Sequence, residues 1–332
     1  MVQQRSHLLD LLKGIAIISV VMYHLGVFKF GYLGVEVFFV ISGFLTTKSI
    51  ANAYQVKGHF DYWAFLLKRI TRLFPLIIVL CVCTFVIAYF TQLPDNFKNT
   101  CETTFGTITF LNNIVQYTTS GNYWDTSNDF KPLMHTWYLA VLFQFYIIHP
   151  LVVQTLCKFK ANITKALKVA VFVGGGASFV FFLLDNSSDA AKFFLFPYRY
   201  WEFALGAYVA MPTSFPSKSC YFKFGILATI FLLGFNCEFP SHTYRLILAS
   251  VATTIVISHL PIENSTRHYR WFIISLFGKA SLSIYLWHQF VFAFYRYIFN
   301  AQLDTASYCV VLSASLILGL GSYSLIEQKF NN

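Results

Sequence analysis

The sequence predicts an all-α, polytopic integral membrane protein with about ten transmembrane helices and both termini in the cytoplasm. Three observations predict it. Hydrophobic residues make up 57% of the 332 positions, charged residues only 11%, and the mean hydropathy is +0.59. A soluble domain carries roughly 25% charged residues, so too few charges are present here to solvate an ordinary surface. Apolar runs near 20 residues, the length that crosses a bilayer, recur along the whole chain. Finally, Lys and Arg gather in alternate loops. The same figures exclude disorder, coiled coil and collagen. The net charge of +10 is explained by cytoplasmic loops lying against anionic lipid, so no nucleic-acid partner is expected. The seven Cys show no zinc-ligand spacing, and no metal is expected.

The first run is about 8–27; Arg5 and Lys13 precede its apolar stretch, Gly14 to Val27. No small-residue cleavage site precedes Phe28, Lys29 and Phe30, so it reads as a retained helix, not a signal peptide. The others are about 31–50, 73–91, 134–156, 169–184, 195–212, 222–236, 244–260, 281–299 and 304–325. With the N-terminus inside, seventeen of the 24 Lys and Arg fall on the cytoplasmic side and seven outside. Residues 1–332 read as a single transmembrane domain. Its longest loop, 92–133, lies outside, and the apolar stretch Phe105–Val115 within it reads as one short interfacial or re-entrant helix. Gly174 to Gly176 read as a place of close helix packing.

Ionisable groups in membrane helices are costly, so each needs a reason. Lys13 and His24 are eleven residues apart, about 20° past three helical turns, which puts them on one face roughly 16 Å apart. Asp10 is one turn before Lys13, an ion partner on that face. The next helix returns after a short turn, which is expected to bring Glu36 to a depth similar to His24; a carboxylate there would orient the imidazole as a base. A lone intramembrane His can equally serve only to bond a neighbouring helix. On the cytoplasmic side, Lys68, Arg69 and Arg72 fall on one helical face. They read either as a topology anchor or as a phosphate clamp, since guanidinium binds phosphate bidentately.

The motifs together resemble the membrane acyltransferase-3 family. Leu9-Asp10 through Lys13-Gly14 to Tyr23-His24 is similar to its opening, a basic residue, ten others, then His. Gly34 to Phe44, with Glu36 and Ser42-Gly43, is similar to its second-helix signature. Lys68-Arg69 with Arg72 and Pro75 resembles its basic loop. Arg199, Trp201, Glu202 and Leu205-Gly206-Ala207 resemble a later motif, Ser281 to His288 another, and Ile326-Glu327 its tail. The block His135 to Tyr146 departs: Tyr138, Ala140, Leu142 and Phe143 stand where the family usually carries Ser and Glu. The matches run in family order from residue 9 to 327.

The resemblance implies an enzyme, a membrane-bound O-acyltransferase, in the multi-pass form found in a bacterial inner membrane. The donor it implies is acetyl-CoA as substrate, with no permanently bound cofactor. The acceptor it implies is a hydroxyl of a polysaccharide or lipid-linked sugar: lipopolysaccharide O-antigen, capsule or exopolysaccharide. His24 and Glu36 are the expected catalytic residues. Lys13, Lys68, Arg69 and Arg72 are expected at the donor. His135, Arg199, Glu202 and His288 are expected to support the site or the acceptor, with His288 nearer the cytoplasmic end of its helix. Direct transfer and an acetyl-His24 intermediate both fit. A stand-alone ten-helix form without an attached soluble domain is expected. The alternatives from other classes are a transporter or flippase for a lipid-linked sugar and a structural partner of polysaccharide assembly.

Overall fold

A computed structural model describes residues 7–119, 126–159, 162–185, 188–211, 242–258, 272–299 and 305–330. Among these every regular element is helical. The helices are α1 (His7–His24), α2 (Gly34–Lys57), α3 (Tyr62–Thr91), α4 (Pro94–Ile108), α5 (Asn112–Thr119), α6 (Trp137–Lys158), α7 (Ile163–Val169), α8 (Gly176–Leu184), α9 (Asp189–Phe194), α10 (Tyr200–Val209), α11 (His242–Ser258), α12 (Phe272–Lys279), α13 (Ser281–Phe299) and α14 (Thr305–Leu325). Among the described residues, six spans are long and apolar enough to cross a membrane: His7–His24, Gly31–Lys57, Tyr62–Thr91, Met134–Lys158, Ile163–Leu184 and Ser307–Phe330. The protein is thus an all-α polytopic membrane protein. The expected span at 222–236 lies outside the described residues. The one expected at 195–212 is the ten-residue α10. The segment before Ser281, read from sequence as a loop, contains α12.

Local chemistry sets several boundaries. Asp61 caps α3, its Oδ1 accepting from the Ala64 amide at 2.9 Å. The helix therefore starts well before the apolar run and carries the basic segment and Pro75 inside it. The loop after α3 is folded into α4 and α5. The single helix expected over Phe105–Val115 is broken at Phe110, whose φ is +56°. A non-glycine residue there is uncommon. It is held by stacking on Phe143, ring centroids 4.0 Å apart.

The described chain forms two compact units. The first is Met1–Phe60, His149–Ser178 and Tyr200–Ser281; the second is Asp61–Ile148, Phe179–Arg199 and Leu282–Asn332. In the first unit α2 crosses α10 in antiparallel fashion at two glycines. A Cβ on Gly206 would lie 1.8 Å from the Val40 carbonyl oxygen, and one on Gly43 2.0 Å from that of Phe203. Close helix approach of this kind needs small residues. Gly14 and Gly278 do the same between α1 and α12.

The expected close packing at Gly174 to Gly176 holds for two of the three. Gly174 faces the Tyr200 ring and Gly175 the Ala204 methyl, while Gly176 has open space. These contacts predict opposite results for two similar substitutions. Gly206→Ala should lower stability by about 1–3 kcal/mol, because α2 and α10 must part. Gly176→Ala should raise it by about 0.5–1 kcal/mol, because a helical Ala costs less entropy than Gly. Thermal unfolding of both purified proteins checks the pair of signs.

Candidate active site

α1 presents Lys13 and His24, both half-buried, on the face the spacing requires. Lys13 lies 4.0 Å from Asp10, which is 1% exposed. His24 ends the helix, its ring edge-to-face with Tyr23 at 5.1 Å. The α1–α2 hairpin has a definite register: Gly31 abuts the Ser19 carbonyl and Tyr23 Cβ, and Gly34 abuts the Ala16 carbonyl and Val20. Glu36, buried at 1% exposure, therefore sits opposite Ala16. Its backbone is about 12 Å along the axis from that of His24, two turns and not the similar depth expected. The hairpin closes part of this gap. Side chains lean toward their own helix N-terminus, so on antiparallel helices Glu36 and His24 lean toward one another.

Glu36 belongs to the stripe Glu36, Val40, Gly43, Thr47 of α2, whose two middle residues meet α10. At the far end of the stripe is a polar chain that the sequence reading missed. Thr47 Oγ1 is 3.0 Å from His149 Nε2, His149 Nδ1 is 2.9 Å from the Tyr200 hydroxyl, and that hydroxyl donates to the Ala170 carbonyl at 3.2 Å. Thr47 and His149 are fully buried. Directions follow from chemistry. The Tyr200 proton goes to a carbonyl, which can only accept. His149 Nδ1–H therefore donates to Tyr200, and Thr47 donates to Nε2. Ala170 opens a π turn, Ala170–Gly175. Glu202, fully buried, is also in this unit.

The basic segment lies in the second unit. Lys68 is exposed; Arg69 and Arg72 are half-buried. The Arg69 guanidinium lies over the Phe65 and Tyr146 rings, 4.9 and 5.2 Å from their centroids. Arg72 Nη2 donates to Glu327 Oε1 at 3.0 Å, and Ser283 Oγ donates to Glu327 Oε2 at 2.8 Å. Glu327 is fully buried. So Arg72 is not a bare cation on a common face with Lys68; one of its donors is committed to a buried carboxylate.

Three more expected residues fall in the second unit. Arg199, fully buried, donates from Nε to the Phe193 carbonyl at 3.0 Å and lies over the Phe193 and Trp137 rings. His135 and His288 come together, ring centroids 5.4 Å apart. His288 lies in the first half of α13 (Ser281–Phe299), and its ring meets that of His135, just before α6. Tyr285 bridges them, donating its hydroxyl to the His135 carbonyl at 2.7 Å. The start of α6 is tied to α4 and α5 by Thr107 to Thr136 at 2.7 Å and by Asn112 to the Leu133 carbonyl at 2.9 Å. Residues of the 92–133 loop thus hold His135 in place.

An acyltransferase-domain family profile matches residues 7–323. The chain belongs to the acyltransferase-3 family. Among curated relatives, it is 28% identical over 353 residues to a protein of Staphylococcus aureus (strain COL) provisionally named an O-acetyltransferase, covering 97% of this chain and 56% of the relative. It is 26% identical over 345 residues to O-acetyltransferase OatA of Staphylococcus aureus (strain NCTC 8325 / PS 47), covering 96% of this chain and 56% of OatA. The chain thus spans about half the length of these relatives. No solved structure matches it.

Proposed function

We propose that the protein is a membrane-bound O-acetyltransferase, which moves an acetyl group from cytoplasmic acetyl-CoA to a hydroxyl of a cell-surface sugar at a bacterial inner membrane. Family membership and relatives named as O-acetyltransferases support the reaction class. What supports the mechanism is the face of α1 bearing Lys13 and His24, with the buried Glu36 across the hairpin on α2. His24 takes the proton of the acceptor hydroxyl as the oxygen attacks the thioester carbonyl. Glu36 stabilises the imidazolium that results. The thiolate of CoA leaves and is protonated. Arg69 and Arg72, with Lys68, supply cations for the donor's phosphates. Glu202 supports the groups of the first unit, and His135, His288 and Arg199 those of the second. O-antigen, capsule and exopolysaccharide, free or lipid-linked, are the acceptors in view.

Gene deletion tests the reading. Mild base should release acetate from the surface polysaccharide of the parent strain and not from that of the deletion strain; equal release from both overturns it. Both termini are placed in the cytoplasm, from the distribution of basic residues. A C-terminal fluorescent-protein fusion should accordingly be bright and an alkaline phosphatase fusion inactive, and the opposite pair of results overturns the topology.

A further inference from the structure

Two segments of the second unit meet along a buried polar seam: Lys131 to His135, and Tyr285 to Gln289 of α13. His135 Nε2 is 3.1 Å from the Leu286 carbonyl, and His288 Nδ1 is 2.6 Å from the Tyr285 carbonyl. A carbonyl only accepts, so in each case the ring nitrogen carries the proton. The remaining nitrogen of each neutral ring, His135 Nδ1 and His288 Nε2, is then a lone-pair acceptor. Gln289 Nε2 donates to the Lys131 carbonyl at 3.3 Å, which fixes the amide and leaves Oε1 as a buried acceptor. His135 is 3% exposed and Gln289 1%. Among the described residues, neither His135 Nδ1 nor Gln289 Oε1 has a hydrogen-bond partner.

A buried acceptor left without a donor costs on the order of 1–3 kcal/mol. Two of them on adjoining segments, on side chains whose other ends are pinned to backbone, are complementary to a ligand that brings donors. Neutral acceptors suit neutral hydroxyls; an ammonium would lose its hydration on burial. A metal would need further ligands, and no group of three His, Cys, Asp or Glu suited to one occurs among the described residues. We propose that this seam is the subsite for the acceptor, in which hydroxyls of a sugar ring donate to His135 Nδ1 and Gln289 Oε1. Tyr285, bonded to the His135 carbonyl, holds the two segments in register. This rests on the acyl-transfer reading above and adds the place and the polarity of acceptor recognition.

The test uses the full chain in nanodiscs with isotope-labelled histidine, so that NMR reads each ring nitrogen. The His135 Nδ1 signal, assigned by its loss in His135→Gln, should have lone-pair character and move toward the hydrogen-bonded range on titration with methyl hexosides. Permethylated hexosides, which have no hydroxyl donor, should leave it unmoved. Gln289→Met should weaken hexoside binding by roughly 2- to 12-fold, the value of one neutral hydrogen bond, and raise KM for the acceptor without changing KM for acetyl-CoA. The proposal is overturned if permethylated and free-hydroxyl sugars act alike, if no methyl hexoside moves the signal, or if Gln289→Met leaves acceptor KM unchanged. A wild-type protein that shows the hydroxyl-dependent shift but forms no acetyl ester would refute acyl transfer while leaving the subsite intact.

Discussion

His24→Ala should abolish acetyl transfer while the protein still inserts, folds and binds acetyl-CoA. The residue ends α1 and is half-buried, so its removal opens no large cavity and leaves the Gly31 and Gly34 contacts of the hairpin in place. On the proposed mechanism, what is lost is the base. General base catalysis contributes about 10²–10⁴-fold, and without His24 the acceptor hydroxyl has no base positioned to take its proton. Glu36→Gln should be milder and should separate two roles. It keeps the shape of a buried side chain but removes the charge that stabilises the imidazolium, so kcat should fall while KM for the donor holds. His288→Ala should lower transfer less than His24→Ala, and through acceptor KM, because its ring belongs to the seam with His135. Transfer measured with purified variants and radiolabelled acetyl-CoA decides the matter. Substantial transfer by folded His24→Ala would defeat the mechanism, whatever the family.

The pattern of what was legible in the sequence has physical causes. Composition and run length are one-dimensional properties, and they suffice for an all-α membrane protein. The shared face of Lys13 and His24 needs only helix geometry. The depth of Glu36 needs the register of one helix on another, and that is set by the backbone approach at Gly31 and Gly34, which the spacing of apolar residues does not encode. His149 is a sharper case. It sits mid-helix between Ile148 and Pro150 with no polar neighbour in sequence. Its partners Thr47 and Tyr200 are 102 and 51 residues away, so only folding reveals the chain of bonds. A signal did exist: a His inside an apolar run costs energy unless satisfied, and that reasoning, applied to His24 and His288, applies equally to His149. The break at Phe110 was hidden for the opposite reason. Phe105–Val115 is apolar throughout apart from its Thr, Gly and Asn positions, and the left-handed residue is held by a ring, Phe143, far along the chain. Arg72 was read as a free cation because its counter-charge, Glu327, comes 255 residues later.

That last pairing gives the second large effect. Arg72→Leu should yield little folded protein, because it strands Glu327, fully buried, with only Ser283 as a bonded partner among those named. Breaking a buried ion pair on one side costs about 3–5 kcal/mol, whereas replacing both partners with apolar groups is often neutral. The double variant Arg72→Leu, Glu327→Leu should therefore recover expression and thermal stability. If Arg72 has no role beyond the pair, the double variant should also bind acetyl-CoA normally. The donor reading predicts otherwise. One Nη of Arg72 bonds Glu327, leaving the rest of the fork for a phosphate, and Arg69 lies one turn away with its charge over two rings. Loss of one charge-assisted bond should weaken acetyl-CoA by roughly 10- to 150-fold. Calorimetry on the purified double variant separates the cases. Stability restored with affinity lost places Arg72 at the donor, and stability restored with affinity unchanged makes the pair a structural tie between α3 and the C-terminal segment.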